Sequence, residues 1–270
     1  MDTLHIIYLL VLGSGIGLAA GLLGVGGGMI LVPFLTLLLP GFGVPTHLVV
    51  HAAIATSMGT ILFTSLSSMR AHQKRGAIRW DIVRVIVPGI LVGGLFSGGA
   101  VFAAISSLML ATVFSVFVLY TAYSMFWGKP PQVGRTMPGP VGTAGMGVVI
   151  GFVSGLLGAG GGFLSIPFMV RGNIDMRKAV ATSAALGFFI AIANSVGYVY
   201  SGFEQVQQEP GMLGYIYWPA LVFVSVTSIL TAPLGASLAH RLPQKVLKRI
   251  FGMLLLCIAV YMQYTAYTLG

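Results

Sequence analysis

Two stretches of the chain repeat one another: GLLGVGGGMILVPF over Gly21–Phe34 and GLLGAGGGFLSIPF over Gly155–Phe168. Each sets three consecutive glycines inside an apolar run. Glycine in a helix interior costs about 1 kcal/mol relative to alanine, and it opens positive-φ conformations closed to other residues. In the first copy an apolar run from Leu4 to Leu23 stops at Gly24-Val-Gly-Gly-Gly28 and resumes from Met29 to Leu39. In the second, Val141 to Leu157 stops at Gly158-Ala-Gly-Gly-Gly162 and resumes from Phe163 to Val170. The pattern predicts a helix, an unwound turn and a half-helix, twice.

The rest of the chain shows what solvent surrounds these breaks. Of 270 residues 57% are apolar and only 7% charged, with a mean hydropathy of +0.97, against roughly 25% charged in an average soluble domain. Apolar stretches long enough to cross about 30 Å of hydrocarbon recur along it. This composition specifies an all-α integral membrane protein. The start carries Asp2 and no Lys or Arg before the first apolar run, which does not fit the basic region of a cleavable signal, so the first segment is expected to be retained. The one cysteine, Cys257, can form no internal disulfide and is expected to pack.

Repeats extend beyond the glycines. Ala55-Thr56-Ser57 matches Ala181-Thr182-Ser183, and Phe114–Met125 matches Phe251–Met262 more weakly. The chain therefore reads as two repeats, 1–127 and 141–270, joined by a Pro- and Gly-rich linker over 128–140. The first comprises a glycine-broken hairpin at 4–39 and spans at 50–69, 82–103 and 107–127. The second comprises a hairpin at 141–170 and spans at 179–200, 213–239 and 247–268.

Charge sets the topology. All fourteen Lys and Arg fall in four clusters, Arg70–Arg84, Lys129–Arg135, Arg171–Lys178 and Arg241–Arg249. If all eight segments crossed, the last two clusters would face the side opposite the first two, against the positive-inside bias. If both glycine segments are re-entrant, every basic cluster is cytoplasmic, Glu204 and Glu209 lie outside, and both termini lie outside. Three crossings then separate equivalent points, so the two halves form an inverted-topology repeat, a common build of secondary transporters in the inner (plasma) membrane. Alternating access would rock one half against the other.

Irregular backbone at membrane depth persists only where protein or a watery cavity satisfies its amides. A half-helix starting near Gly28 or Gly162 offers free N–H groups and the positive end of its dipole, together an anion site. Candidate substrate-binding residues are accordingly Gly24, Gly26, Gly27, Gly28, Gly158, Gly160, Gly161 and Gly162. Added to them are the hydroxyls of Thr56, Ser57, Thr182 and Ser183, and the repeat-equivalent pair Ser68 and Asn194. The Gly13, Gly17, Gly21 stripe is of the small-residue kind that packs helices. His51 is a possible coupling group. Gly15–Ala20 matches a dinucleotide-binding pattern only superficially, for no acid follows at the required distance.

The doubled GLLGxGGGxxxxPF motif, the Ala-Thr-Ser triplets and the two-half layout resemble the sulfite exporter TauE/SafE family, also called the toluene-sulfonate uptake permease family. The resemblance covers essentially the whole chain. It implies transport of sulfur-containing oxyanions such as sulfite, sulfoacetate or other organosulfonates.

The five acids, Asp2, Asp81, Asp175, Glu204 and Glu209, all read as terminal, loop or span-edge residues, so no intramembrane carboxylate is available to couple a pump. Export of an anion needs none, since a negative interior drives exit by about 2.3 kcal/mol per charge per 100 mV. The alternative is a proton- or sodium-coupled uptake permease using His51 or backbone carbonyls. A membrane scaffold has less support, because no hydrophilic stretch exceeds about a dozen residues. No catalytic, metal or cofactor motif is present. The expected partners are a small anion and the bilayer, and the net charge of +9 is assigned to topology rather than to nucleic acid.

Overall fold

A computed structural model describes residues 3–23, 27–127, 136–203, 205–206, 209–239 and 244–269. Its helices are α1 (Thr3–Leu23), α2 (Gly28–Leu38), α3 (Val49–Lys74), α4 (Trp80–Phe96), α5 (Ser107–Trp127), α6 (Pro140–Leu157), α7 (Gly162–Arg171), α8 (Met176–Gly202), α9 (Trp218–Ala239) and α10 (Gln244–Leu269). A π-type turn at Ser97–Val101 carries α4 on to Ala104. A two-stranded antiparallel ribbon, β1 (Met212–Leu213) with β2 (Ile216–Tyr217), precedes α9 and pairs Met212 with Tyr217.

Six described helices are long and apolar enough to cross a membrane: Thr3–Ala20 of α1, Thr46–Lys74, Trp80–Ala104, Ser107–Ser124, Pro140–Leu157 and Met176–Gly202. Four of these coincide with expected spans. The apolar runs of the other two, Trp218–Leu234 in α9 and Gly252–Thr265 in α10, are shorter; α10 spends its first turns on Lys245, Lys248 and Arg249. The glycine segments are lopsided: α1 and α6 are full-length helices, while α2 and α7 have 11 and 10 residues. At 1.5 Å per residue those rise only about 15 Å.

α3 and α8 form the centre. They pack on each other, and 83% and 61% of their spans are buried, against 22% for α1. Around them α1 lies on α9, α6 lies on α4, and α5 pairs with α10. Glycines permit the first two contacts. Gly13 and Gly17 of α1 rest on Val224 and Ser228 of α9, and Gly89 and Gly93 of α4 rest on Ala144 and Val148 of α6, none with room for a Cβ. The stripe expected to pack does so at Gly13 and Gly17. The helices that pack together are thus distant in sequence, α1 with α9 and α4 with α6. Large apolar side chains such as Val11, Val92, Leu230 and Val260 point outward, as a hydrocarbon solvent allows. Cys257, expected to pack, is exposed, because α10 turns Leu255, Ile258, Ala259 and Met262 inward at helical spacing.

Side-chain contacts show which ends lie together. His5 near the start of α1 meets Phe42 beyond α2, ring centres 4.7 Å apart, and Phe42 stacks on Tyr217. The α1–α2 pair therefore ends where it began. Likewise Met137 before α6 lies against Gly172 beyond α7. The two pairs return to opposite ends of the molecule. At the α6–α7 end, the N–H of Arg79 donates to Thr182 Oγ1 at 3.0 Å, which brings the cluster around Arg79 beside the one around Lys178.

Candidate functional site

The described parts of the two glycine breaks correspond at the start of each half-helix. Gly27 and Gly161 are left-handed, φ 67 and 72, and each is the N-cap of a half-helix with no capping side chain. Gly27 O accepts from the N–H of Ile30 and Leu31, and Gly161 O from those of Leu164 and Ser165. The N–H groups of Gly28, Met29, Gly162 and Phe163 find no partner among the described residues, as expected of a first turn without a cap. α6 closes at left-handed Gly158, φ 59. Gly24 and Gly26 lie outside the described residues.

The two breaks touch. A Cβ on Gly28 would stand 2.5 Å from Gly158 O, and Gly158 itself lies against Val32 of α2 and Ile54 of α3. Ser57 Oγ sits 3.0 Å from Gly28 O and 3.1 Å from Gly158 O, so its single proton is shared between carbonyls of both breaks. Ile54, Ser57 and Ile61 place one face of α3 along the junction, Ile61 reaching Gly160. On the far side Ser183 of α8 faces Gly162 and accepts from Ser165 Oγ at 2.8 Å. No Asp, Glu, Lys, Arg or His is among these residues. The junction offers N–H groups, hydroxyls and carbonyls in a buried setting, a chemistry suited to a small ion without a countercharge.

The remaining sequence candidates part company with the junction. Thr56 accepts the N–H of Tyr217 at 2.9 Å and Thr182 that of Arg79 at 3.0 Å. Each triplet threonine thus pins the residue just before the fourth helix of a half, while each triplet serine faces a glycine break. Ser68 and Asn194 stand eleven residues beyond Ser57 and Ser183, about 16 Å along their helices. Asn194 is wedged between α4 and α6: its Nδ2 donates to Ile190 O at 2.9 Å, and its Oδ1 faces Gly155 without a hydrogen-bond donor.

His51 is buried, 6% exposed, on α3 six residues before Ser57. Nε2 lies 3.1 Å from Phe102 O and Ile105 O, Nδ1 lies 3.1 Å from Ser107 Oγ, and Tyr215 stacks on the ring. It ties α3 to the α4–α5 turn and the ribbon. An open groove of about 710 Å³ lined by Ser195, Val199, Tyr200 and Phe203 lies at the C-terminal end of α8, away from the glycine breaks.

Three residues at the second break were not singled out in the sequence. Ser154, immediately before GLLG, is fully buried beside Gly161 with no partner for its Oγ. Ser165 lies within the motif, and the Tyr198 hydroxyl donates to Gly155 O. The only available signal was that these hydroxyls lack counterparts in the first half.

The model of the sulfite exporter TauE/SafE family matches residues 9–262. The chain belongs to this family. A Haemophilus influenzae protein named "Probable membrane transporter protein" is 34% identical over 258 residues, covering 95% of this chain and 97% of the relative. A Methanocaldococcus jannaschii protein of similar name, MJ0441, is 27% identical over 265 residues, 94% of each chain. The Bacillus subtilis protein YdhB, also named a probable membrane transporter, is 27% identical over 245 residues, 86% of this chain and 90% of its own. No solved structure matches. This TauE/SafE protein is a multi-pass membrane transporter and not an enzyme.

Proposed function

We propose that this TauE/SafE protein exports a small sulfur oxyanion, sulfite, sulfoacetate or another organosulfonate, across the inner membrane, holding it at the junction of the two glycine breaks. The observation that carries the reading is their contact: Ser57 bridges Gly28, the first residue of α2, and Gly158, the C-cap of α6 four residues before the equally uncapped α7 begins. Each N-terminus carries about half a positive charge, so an anion there needs no lysine or arginine.

The glycine segments are re-entrant hairpins entering from opposite faces. The reading is supported by the return of α1–α2 to one end and of α6–α7 to the other, and by the short rise of α2 and α7. Basic clusters around Arg79 and Lys178 at one end fit a cytoplasmic face. The inverted repeat is supported by matched packing, α1 on α9 as α6 on α4, and α2 on α3 as α7 on α8. The bodies that move in alternating access are then the α1–α9 and α4–α6 pairs against the α3–α8 centre.

Export is driven by the membrane potential. The test is sulfite and methanesulfonate counterflow in proteoliposomes with an imposed potential. Flux that rises with interior-negative potential, without accompanying proton or sodium movement, is expected; flux indifferent to potential refutes this mechanism.

A further inference from the structure

The two breaks share a sequence but not a set of donors. At the second, Ser154 Oγ is fully buried, makes no hydrogen bond, and lies 3.1 Å from the Cβ position of Gly161, the N-cap of α7. A serine in a helix ordinarily returns its proton to the carbonyl one turn back; this one is turned to the break instead. Ser183 Oγ stands 3.3 Å from the Cβ position of Gly162 and is paired with Ser165 Oγ at 2.8 Å; one proton makes that bond, which leaves the other hydroxyl proton of the pair to donate. With the N–H groups of Gly162 and Phe163, four donors surround the start of α7.

The first break lacks this set. In motif register Ala20 stands where Ser154 does and Leu31 where Ser165 does. Ser57, the counterpart of Ser183, commits its proton to Gly28 O and Gly158 O. Access differs as well: Gly162, Phe163 and Leu164 are partly exposed, whereas their counterparts Gly28, Met29 and Ile30 are buried.

We infer that the anion is bound by the second break alone, through Ser154, Ser183 and the first amides of α7, and that the site selects a singly charged oxyanion over a dianion, which narrows the proposed substrates to hydrogensulfite or a monoanionic sulfonate and removes doubly charged sulfoacetate. The first break is its wall, fastened by Ser57. The inference rests on the reading of the glycine junction as the substrate site. Selectivity follows from the charge available. One helix N-terminus contributes about half a charge, and Arg171, the cation of α7, stands at the far end of that helix. A sulfonate or hydrogensulfite is nearly matched by that field and four donors. Sulfate would carry most of a second charge into a buried site with nothing to offset it.

The test is binding of sodium methanesulfonate and sodium sulfate to the purified full-length protein by calorimetry, with unfolding temperatures measured in parallel. Ser154→Ala and Ser183→Ala should each weaken methanesulfonate roughly ten- to hundred-fold, the range for a hydrogen bond to a charged group. Ala20→Ser should bind as wild type does. Ser57→Ala should lower the unfolding temperature while losing less affinity than Ser183→Ala. Wild type should bind sulfate at least roughly ten-fold more weakly than methanesulfonate. If Ser154→Ala does not fold, Ser154→Cys, a weaker donor of similar volume, carries the same expectation. Unchanged affinity in both second-break variants, a larger loss in Ser57→Ala, or equal binding of sulfate overturns the assignment to α7 while leaving the junction as the site. Failure of wild type to bind or transport sulfite or methanesulfonate overturns both readings.

Discussion

Gly28→Ala tests whether the two breaks are in contact. The added methyl would meet Gly158 O at 2.5 Å, well inside the 3.4 Å at which ordinary contact begins, and Ile61 Cδ1 at 2.6 Å and Ser57 Oγ at 3.0 Å. The side chain of Ile61 can turn aside, but the carbonyl belongs to the left-handed turn at Gly158 and cannot move without displacing the second break. Over-packing of this kind costs about 1–3 kcal/mol. Alanine recovers less than about 1 kcal/mol in helix propensity at the first turn. The net loss is about 1–2 kcal/mol, and at about 2–4 °C per kcal/mol for a chain of this order the unfolding temperature should drop by about 2–8 °C. The control is Gly15→Ala on α1, where nothing lies within 4 Å and stability should hold or rise slightly. Unfolding is followed by tryptophan fluorescence in detergent and transport by counterflow in the same preparations. If Gly28→Ala unfolds with the control and transports at the wild-type rate, the breaks do not touch and a site at their junction is refuted.

Thr56→Val and Thr182→Val should each cost about 1–3 kcal/mol of stability by orphaning the N–H of Tyr217 or Arg79, with anion affinity unchanged by calorimetry. Gly93→Ala should separate α4 from α6 and destabilise by at least about 1–3 kcal/mol, because the added atom meets the backbone of Val148; thermal unfolding checks it. Cys257→Ala should change stability by no more than about 0.5 kcal/mol, since its side chain is exposed on α10; thermal unfolding checks it.

Much of the architecture is legible because membrane and glycine impose strong rules. Hydropathy finds the helices, and the breaks fall where consecutive glycines forbid a regular helix. What the sequence withholds is side-chain direction. Thr56 and Ser57 are adjacent and both buried, yet about 100° apart around α3, so one pins the start of α9 and the other spans the glycine turns. Pattern alone treats them alike. Asn194 reads as a polar group in an apolar run and proves to be wedged between α4, α6 and α8, a consequence of Gly94, Gly151 and Gly155 that no single-helix pattern reveals. Ser154 is invisible for the opposite reason: one serine in a membrane helix normally satisfies itself, and only its geometry shows that it does not.

The packing of α1 on α9 bears on how the chain is built. Gly13 reaches its partner Val224 only after about two hundred further residues have been synthesised, some 10–40 s at translation speeds of 5–20 residues per second. During that interval the glycine face of α1 lacks its partner, and α4 likewise awaits α6. Neither half can therefore complete its own packing when expressed singly, whereas the two coexpressed fragments, each supplying the other's missing surface, should assemble into one stable transporter.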